Sequence, residues 1–301
     1  LPVEQAATLR SVVDLATALE RALDARVVSL EALRGGDVAA AYRVDLADGR
    51  RVFAKTHPLA PTGFFTTEAA GLAWLADPIV VHIPTVLAVS DGDPATGVPN
   101  HLALEWIHEG TARASTDADF GSALAALHGI GAPFFGREDR RSTGSRGLPN
   151  EPCPTWREFY ATQRLLPLAR LARESGALEV NVIADLERVA DRLDVVGGPA
   201  EPAARLHGDL WAGNRLVDRN GGNWLVDPAA HGGHREFDLA MMRLFGGFGA
   251  ECFAAYAEQS PLADGWEDRV SLHQIAPLVV HAIKFRGGYV DEATAAIGRY
   301  R

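Results

Sequence analysis

Leu206-His207-Gly208-Asp209-Leu210-Trp211-Ala212-Gly213-Asn214, followed by Trp224-Leu225-Val226-Asp227-Pro228, is the stretch whose reading decides the fold. It places an acid, Asp209, in a loop with Gly208 and Gly213, and an amide, Asn214, a few residues on. A short apolar run (Arg215-Leu216-Val217), a turn (Asp218-Arg219-Asn220-Gly221-Gly222) and a second apolar run lead to another acid, Asp227. Gly and Asn between two such runs make a β-hairpin. The hairpin brings Asn214, entering one strand, close to Asp227, leaving the other.

Two oxygen-bearing side chains at one end of a hairpin suit Mg²⁺, a hard cation that takes few protein ligands and completes its shell with water and phosphate oxygens. Asp209 is then left to meet a hydroxyl nucleophile. Acid, Asn, hairpin, acid is the layout of a protein-kinase-like phosphotransferase catalytic loop. An ordinary hairpin with polar turn residues is the plain alternative, and a lone His-Gly-Asp would leave it standing. Asn214 and Asp227 together weigh against it.

The run from His207 to Asn214 closely resembles the H-G-D-L-W-S-G-N signature of the fructosamine (ketosamine) 3-kinases, with Ala212 in place of the usual Ser. Aminoglycoside and choline phosphotransferases share the fold and the wider H-x-D-x-x-x-x-N frame. The resemblance implies an α+β, two-lobed protein-kinase-like fold, with a small antiparallel-sheet lobe over residues 1–107 and a larger, mainly helical lobe over 108–301. It also implies ATP and Mg²⁺ as cofactors, and phosphorylation of a ketosamine at its 3-hydroxyl, a deglycation step. The acceptor would be a small-molecule or protein-bound glycated amine. Another small hydroxylated acceptor, aminoglycoside- or choline-like, is the alternative within the fold, and a catalytically silent nucleotide-binding module is the alternative outside enzymology.

The bulk numbers agree with a soluble enzyme. A chain of 301 residues suits two lobes with a cleft between them. The net charge of −10 and the lack of a long basic stripe argue against a nucleic-acid partner. No apolar run reaches membrane-spanning length, and the first residues contain no signal-peptide core. Cys153 and Cys252, far apart and without metal-ligand spacing, read as free thiols in a reducing, cytoplasmic setting.

Upstream, apolar positions at helical spacing predict a helix from Thr8 to Leu23. Strands follow at Arg26 to Leu33, Ala39 to Leu46 and Arg51 to Lys55. Gly35 and Gly36, between the first two, would let backbone N–H groups approach phosphates, although a Gly pair between strands is often only a turn. Lys55 shares a strand face with Phe53. The following helix puts Glu68, Gly71, Leu72 and Leu75 on one stripe, so an acid faces the core and needs a partner. Lys55 is the nearest candidate, and a strand Lys with a helix Glu positions donor phosphates in protein kinases. Ile83 to Val89 and His101 to Ile107 read as two more strands, joined by Asp91-Gly92-Asp93-Pro94 and its neighbours. The resemblance makes Glu105, Trp106 and Ile107 the hinge whose backbone meets adenine.

Helices are expected from Asp117, over Thr155 to Ala172 and Val182 to Leu193, and from Trp266 to Arg286. The Gly-, Pro- and Arg-rich stretch 136–154 is too long for a routine connection. His231-Gly232-Gly233-His234-Arg235-Glu236-Phe237-Asp238 resembles the family's G-H-R-E-x-D segment. Two His three apart lack the companions that zinc requires. The resemblance implies that Asp238 sits at a helix start, where its carboxylate would cap N–H groups and satisfy the catalytic loop. Arg235 and Glu236 either reach the acceptor or pair with each other. Trp211, His234 and Arg235 are the candidate acceptor contacts, Trp211 because an indole offers a flat apolar face to sugar C–H groups. His207 reads as structural, and Asp209 as the base.

Overall fold

The computed structural model describes residues 14–33, 39–93, 95–139, 141–142 and 147–301; Gly35 and Gly36 lie outside the described residues. The described residues begin with helix α1 (residues 14–23), the start expected from Thr8 lying outside them, and continue with strands β1 (Val27–Leu33), β2 (Ala40–Leu46) and β3 (Arg51–Thr56). Helix α2 (Phe64–Ala76) and strands β4 (Val86–Asp93) and β5 (Val98–Glu105) follow, giving one antiparallel sheet of order β1-β2-β3-β5-β4.

Strand alternation decides what each face of that sheet meets. Val44, Leu46, Val52 and Ala54 pack with Leu15, Leu19 and Leu23 of α1. Phe53 points the other way, toward Phe65 and Leu72 of α2. Each fully buried Phe or Leu in these layers contributes about 2 kcal/mol of apolar burial. Lys55, two residues on from Phe53, therefore faces α2, the helix carrying Glu68.

The connection expected at Asp91-Gly92-Asp93 is strand instead: Asp91 pairs with Asn100 and Asp93 with Val98. A tertiary contact overrides the turn propensity, because Asp91 accepts hydrogen bonds from the backbone N–H and hydroxyl of Thr66 at 3.3 and 2.7 Å, tying β4 to the start of α2.

The rest is mainly helical. Its long elements are α3 (Thr116–Ile130), α4 (Trp156–Phe159) running through a π-helical segment Tyr160–Leu165 into α5 (Leu166–Ser175), and α6 (Val180–Asp191) with the short α7 (Leu193–Val196). Then come α8 (Glu236–Phe245), α9 (Ala250–Gln259), α10 (Trp266–Phe285) and α11 (Gly288–Gly298). Two small sheets sit among them: β6 (Ala204–Leu206) with β9 (His231–Gly233), and the hairpin β7 (Arg215–Val217) with β8 (Asn223–Leu225). Phe120, Leu124 and Leu127 of α3 form a core with Cys252 and Tyr256 of α9, and this core also takes in Leu210 and Leu225. The motif-bearing loop and hairpin are thus anchored by their own leucines. No helix among the described residues is long and apolar enough to cross a membrane.

The β7–β8 hairpin is stapled on two sides. Gly110 N–H donates to Val217 O at 2.9 Å and Arg219 N–H to His108 O at 3.0 Å, joining it to the segment that leaves β5. On the opposite side Leu225 N–H donates to His82 O at 3.0 Å, with the His82 and Trp224 rings stacked at 4.9 Å.

Candidate active site

The loop that follows β6 is built by its own polar groups. Gly208 has φ +81°, and a Cβ there would stand 2.2 Å from Ala229 O, so the position takes only glycine without distortion. The N–H groups of His207 and Gly208 both donate to Asp238, at 2.8 and 2.9 Å. Asp238 lies in the first turn of α8, wholly buried, with His128 Nε2 at 3.3 Å and Tyr256 Oη 2.8 Å from His128 Nδ1 behind it. Burial opposes the Asp238 charge, but His128 and the loop N–H groups hold its pKa below the usual range.

His207 accepts from Asp209 N–H at Nδ1 (3.3 Å), so its Nε2–H donates to Val226 O (2.9 Å). Burial lowers the imidazole's pKa despite nearby Asp238. A neutral ring with both nitrogens engaged is a strut between loop and hairpin.

The hairpin does what its sequence requires. Asn214 O accepts from Val226 N–H at 3.0 Å, so the residue before Asp227 is locked to Asn214. Asn214 Nδ2 donates to Asp209 O (2.8 Å) and lies 3.3 Å from Asp209 Oδ2. Its Nδ2 spent on the loop, Asn214 has Oδ1 to offer a cation. Asp227 adopts φ +55°, a left-handed conformation uncommon outside glycine and concentrated at functional positions. Its side chain is 52% exposed.

Lys55 closes the arrangement. Its ammonium stands 2.7 Å from Glu68 and in direct contact with Asp227, although its side chain is only 9% exposed. Burial disfavours the ammonium, but the two carboxylates outweigh it and raise its pKa. Burial likewise works against Asp227, yet Lys55 keeps that carboxyl below its ordinary value. Glu68 is pushed up to about 7 by burial, against the pull of Lys55. Asp209 is raised to about 7, first by burial and then by Asp227, with Asn214 opposing. Two acids around one ammonium thus divide into an ionised Asp227 and a Glu68 that titrates near neutrality.

Five sequence candidates, Lys55, Glu68, Asp209, Asn214 and Asp227, therefore come together in one cluster. Trp211 stands over the loop, 40% exposed, with its ring 6.0 Å from Phe245 and laid against Gly213, where a Cβ would meet it at 2.3 Å. β5 ends at Glu105, whose carboxylate accepts from Thr85 N–H at 2.8 Å; Trp106 and Ile107 continue beyond the strand, Trp106 under the Arg51 guanidinium at 5.7 Å.

His234 and Arg235 are both held among protein partners. His234 is 1% exposed, and burial pushes its pKa down to about 4. Arg235 spends its guanidinium on Glu201 (2.7 and 2.8 Å), Ser260 (2.7 and 3.0 Å) and Pro261 O (2.8 Å). The Arg235 guanidinium is thus engaged within the protein, whereas His234 Nε2 is buried without a hydrogen-bond partner. Arg235 and Glu236 are not paired with each other: Glu236 binds Arg269 at 2.6 and 2.9 Å and His273 at 3.2 Å. His234, Glu236 and His273 offer ligand atoms within 4.8 Å of one another, but the Arg269 guanidinium clasping both Glu236 oxygens opposes a cation there.

The sheet of five strands, the helical second part and this cluster define a protein-kinase-like phosphotransferase. The choline kinase LicA from Streptococcus pneumoniae shares that fold, with a TM-score of 0.64 over 97% of this chain and 99% of that one at 15% identity. The sequence profile of the Fructosamine kinase family matches residues 13–301, nearly the whole chain, and the protein belongs to that family. A probable ketoamine kinase of Enterococcus faecium is 35% identical over 256 residues, 85% of this chain and 89% of its relative. The crystal structure of a fructosamine-3-kinase candidate from Thermobifida fusca superposes with a TM-score of 0.86 at 38% identity, covering 95% of this chain and 98% of that one.

Proposed function

We propose that the protein transfers the γ-phosphoryl group of ATP to the 3-hydroxyl of a ketosamine, a fructosamine- or ribulosamine-type adduct of an amine, in a deglycation reaction dependent on Mg²⁺. The observation that carries this reading is the mutual contact of Asp209, Asn214, Asp227 and Lys55 in a chain of this family. Phosphoryl transfer calls for positioning and charge neutralisation more than covalent help, and these four groups supply both.

Asp209 accepts the hydrogen bond, and then the proton, of the acceptor hydroxyl. Its raised pKa puts the carboxylate near the value at which a base is effective close to neutrality. Lys55, steadied by Glu68, contacts the donor's phosphates. Asn214 Oδ1 and the Asp227 carboxylate would hold Mg²⁺, a fit consistent with two hard oxygens at one hairpin end and an Asn whose Nδ2 is already spent. The metal, when bound, neutralises charge on the phosphate oxygens. Gly35 and Gly36 would cover the phosphates, Glu105, Trp106 and Ile107 would meet adenine through their backbone, and the lobes would divide after Ile107. Trp211 would present its face to the sugar.

ATP consumption by the purified protein, screened against fructosyl-lysine, ribosyl-lysine, aminoglycosides and choline, tests the reading. Mg²⁺-dependent turnover with the ketosamines is expected. Turnover confined to aminoglycosides or choline would replace the acceptor assignment, and none with any acceptor would overturn the enzymatic reading.

A further inference from the structure

The long stretch that opens at Gly136 takes no part in the proposed chemistry, yet its first residues meet the segment that follows Asp227. Gly136 N–H donates to Gly232 O at 2.8 Å, and Gly232 N–H to Gly136 O at 2.9 Å. Gly136 has φ +111°, and a Cβ there would stand 2.7 Å from Glu151 O, so this crossing requires glycine. Arg137 N–H then donates to Asn150 O at 3.0 Å, which fixes the root of the Arg137 side chain.

That side chain is 10% exposed and meets three partners. Nε and Nη2 donate to the two carboxylate oxygens of Asp139, each at 3.0 Å. Nη1 donates to Ala230 O at 3.3 Å. The third partner is α2: a Cβ at Gly71 would stand 3.6 Å from the same Nη1, 3.3 Å from Ala230 Cβ and 3.5 Å from Pro228 Cγ. Gly71 lies three residues on from Glu68, so one face of α2 carries both the partner of Lys55 and the contact with Arg137. On its other side the segment 228–230 abuts the catalytic loop, where Ala229 O leaves no room for a Cβ at Gly208.

Asp227 depends on such a frame. A residue other than glycine keeps a left-handed backbone only where its surroundings over-determine it. Upstream, Val226 N–H is tied to Asn214 O at 3.0 Å. Downstream, the ring of Pro228 fixes its own φ, and Arg137 grips the chain at Ala230. We propose that Arg137, held flat by Asp139, is a positioning residue for Asp227. It fixes the downstream side of that residue, and so sets the affinity of the site for a divalent cation that it never touches. The inference rests on the reading of Asp227 as a metal ligand and deepens it. Arginine suits the task because its planar fork binds the carboxylate in two places and keeps a further N–H for the carbonyl; an ammonium on a flexible stem does not hold both in one plane.

The test is the binding of Mn²⁺, a paramagnetic substitute for Mg²⁺, to the purified protein with a non-hydrolysable ATP analogue, followed by electron paramagnetic resonance. Arg137→Ala is expected to bind Mn²⁺ about 10- to 100-fold more weakly than the wild type, the usual effect of a partner one step outside the ligands, with Arg137→Lys between the two. Arg141→Ala removes the other guanidinium on Asp139, at 2.8 Å, and leaves the contact with Ala230 in place, so it is expected to bind as the wild type does. Wild-type affinity in Arg137→Ala would overturn the proposal, as would an equal loss in Arg141→Ala. Should thermal unfolding show that Arg137→Ala does not fold, Asp139→Asn takes its place, since it loosens the fork and keeps the guanidinium. A smaller loss is expected there, and wild-type affinity would overturn the proposal equally. Asp227→Ala separates this inference from the reading beneath it. Unchanged Mn²⁺ affinity in that variant would remove the metal assignment and the role of Arg137 together, whereas a loss there beside none in Arg137→Ala would remove the role of Arg137 alone.

Discussion

Replacing His234 by Phe should alter how stability depends on pH, by an amount the structure sets. His234 is 1% exposed, stacked on His273 at 5.3 Å, with its pKa lowered to about 4. An unfolded His titrates near 6.5. The folded form thus binds its proton less readily than the unfolded one. The resulting stability is fully present above pH 6.5 and is lost as pH falls toward about 4. Between pH 7.5 and pH 5 the loss amounts to about 2 kcal/mol for this one group. His231, lowered to about 3 by burial, acts in the same direction. Asp209 and Glu68, raised to about 7, act oppositely: their contribution is present below the unfolded carboxylate pKa and fades as pH rises through 7. The wild-type slope is therefore a sum, and the difference between wild type and variant isolates His234. A phenyl ring keeps the stacking volume and carries no proton. In urea unfolding at pH 7.5 and 5.0, the variant should gain about 2 kcal/mol on the wild type at the lower pH. A stability difference that is the same at both pH values would show that the imidazole is not held neutral, and the burial argument would fall.

Asp209→Asn should lower kcat about 10²- to 10⁴-fold while the melting temperature stays near that of the wild type; turnover within a few-fold of wild type would remove Asp209 as the base. Lys55→Met should lose most turnover yet remain folded by circular dichroism, since it exchanges a buried ammonium for an apolar chain of similar length; near-normal activity would exclude Lys55 from the reaction. Asp238→Ala strips the acceptor from His207 and Gly208 N–H and from His128. Two buried N–H groups left without partners cost about 1–3 kcal/mol each, so calorimetry should show a melting temperature several degrees lower.

The hairpin and its two ligand candidates are legible in the sequence because everything that shapes them is local: turn residues, alternating apolar positions and short spacing. Lys55 with Glu68 is legible for a related reason, since strand and helix periodicities each point their residue at the same core. Asp91 misleads because its partner, Thr66, lies on another element, and the Asp-Gly-Asp composition alone reads as a turn. Arg235 misleads in the same way: its partners Glu201 and Ser260 arrive from segments that no local pattern connects to it. The helix α9 and the short strands β6 and β9 take their definition from pairing and packing more than from their own sequences.

The double stapling of the β7–β8 hairpin sets how the molecule can flex. Because His108 and Gly110 hold it on one side and His82 on the other, a rocking of the sheet over the helices has its fulcrum at the hairpin. Asn214 and Asp227 lie near that axis, where each degree of rotation produces the least travel. Strand β1, three places from β5 and so about 14 Å across the sheet, sweeps the widest arc. A tilt of the sheet about that line would leave the spacing of Asn214 and Asp227 nearly unchanged.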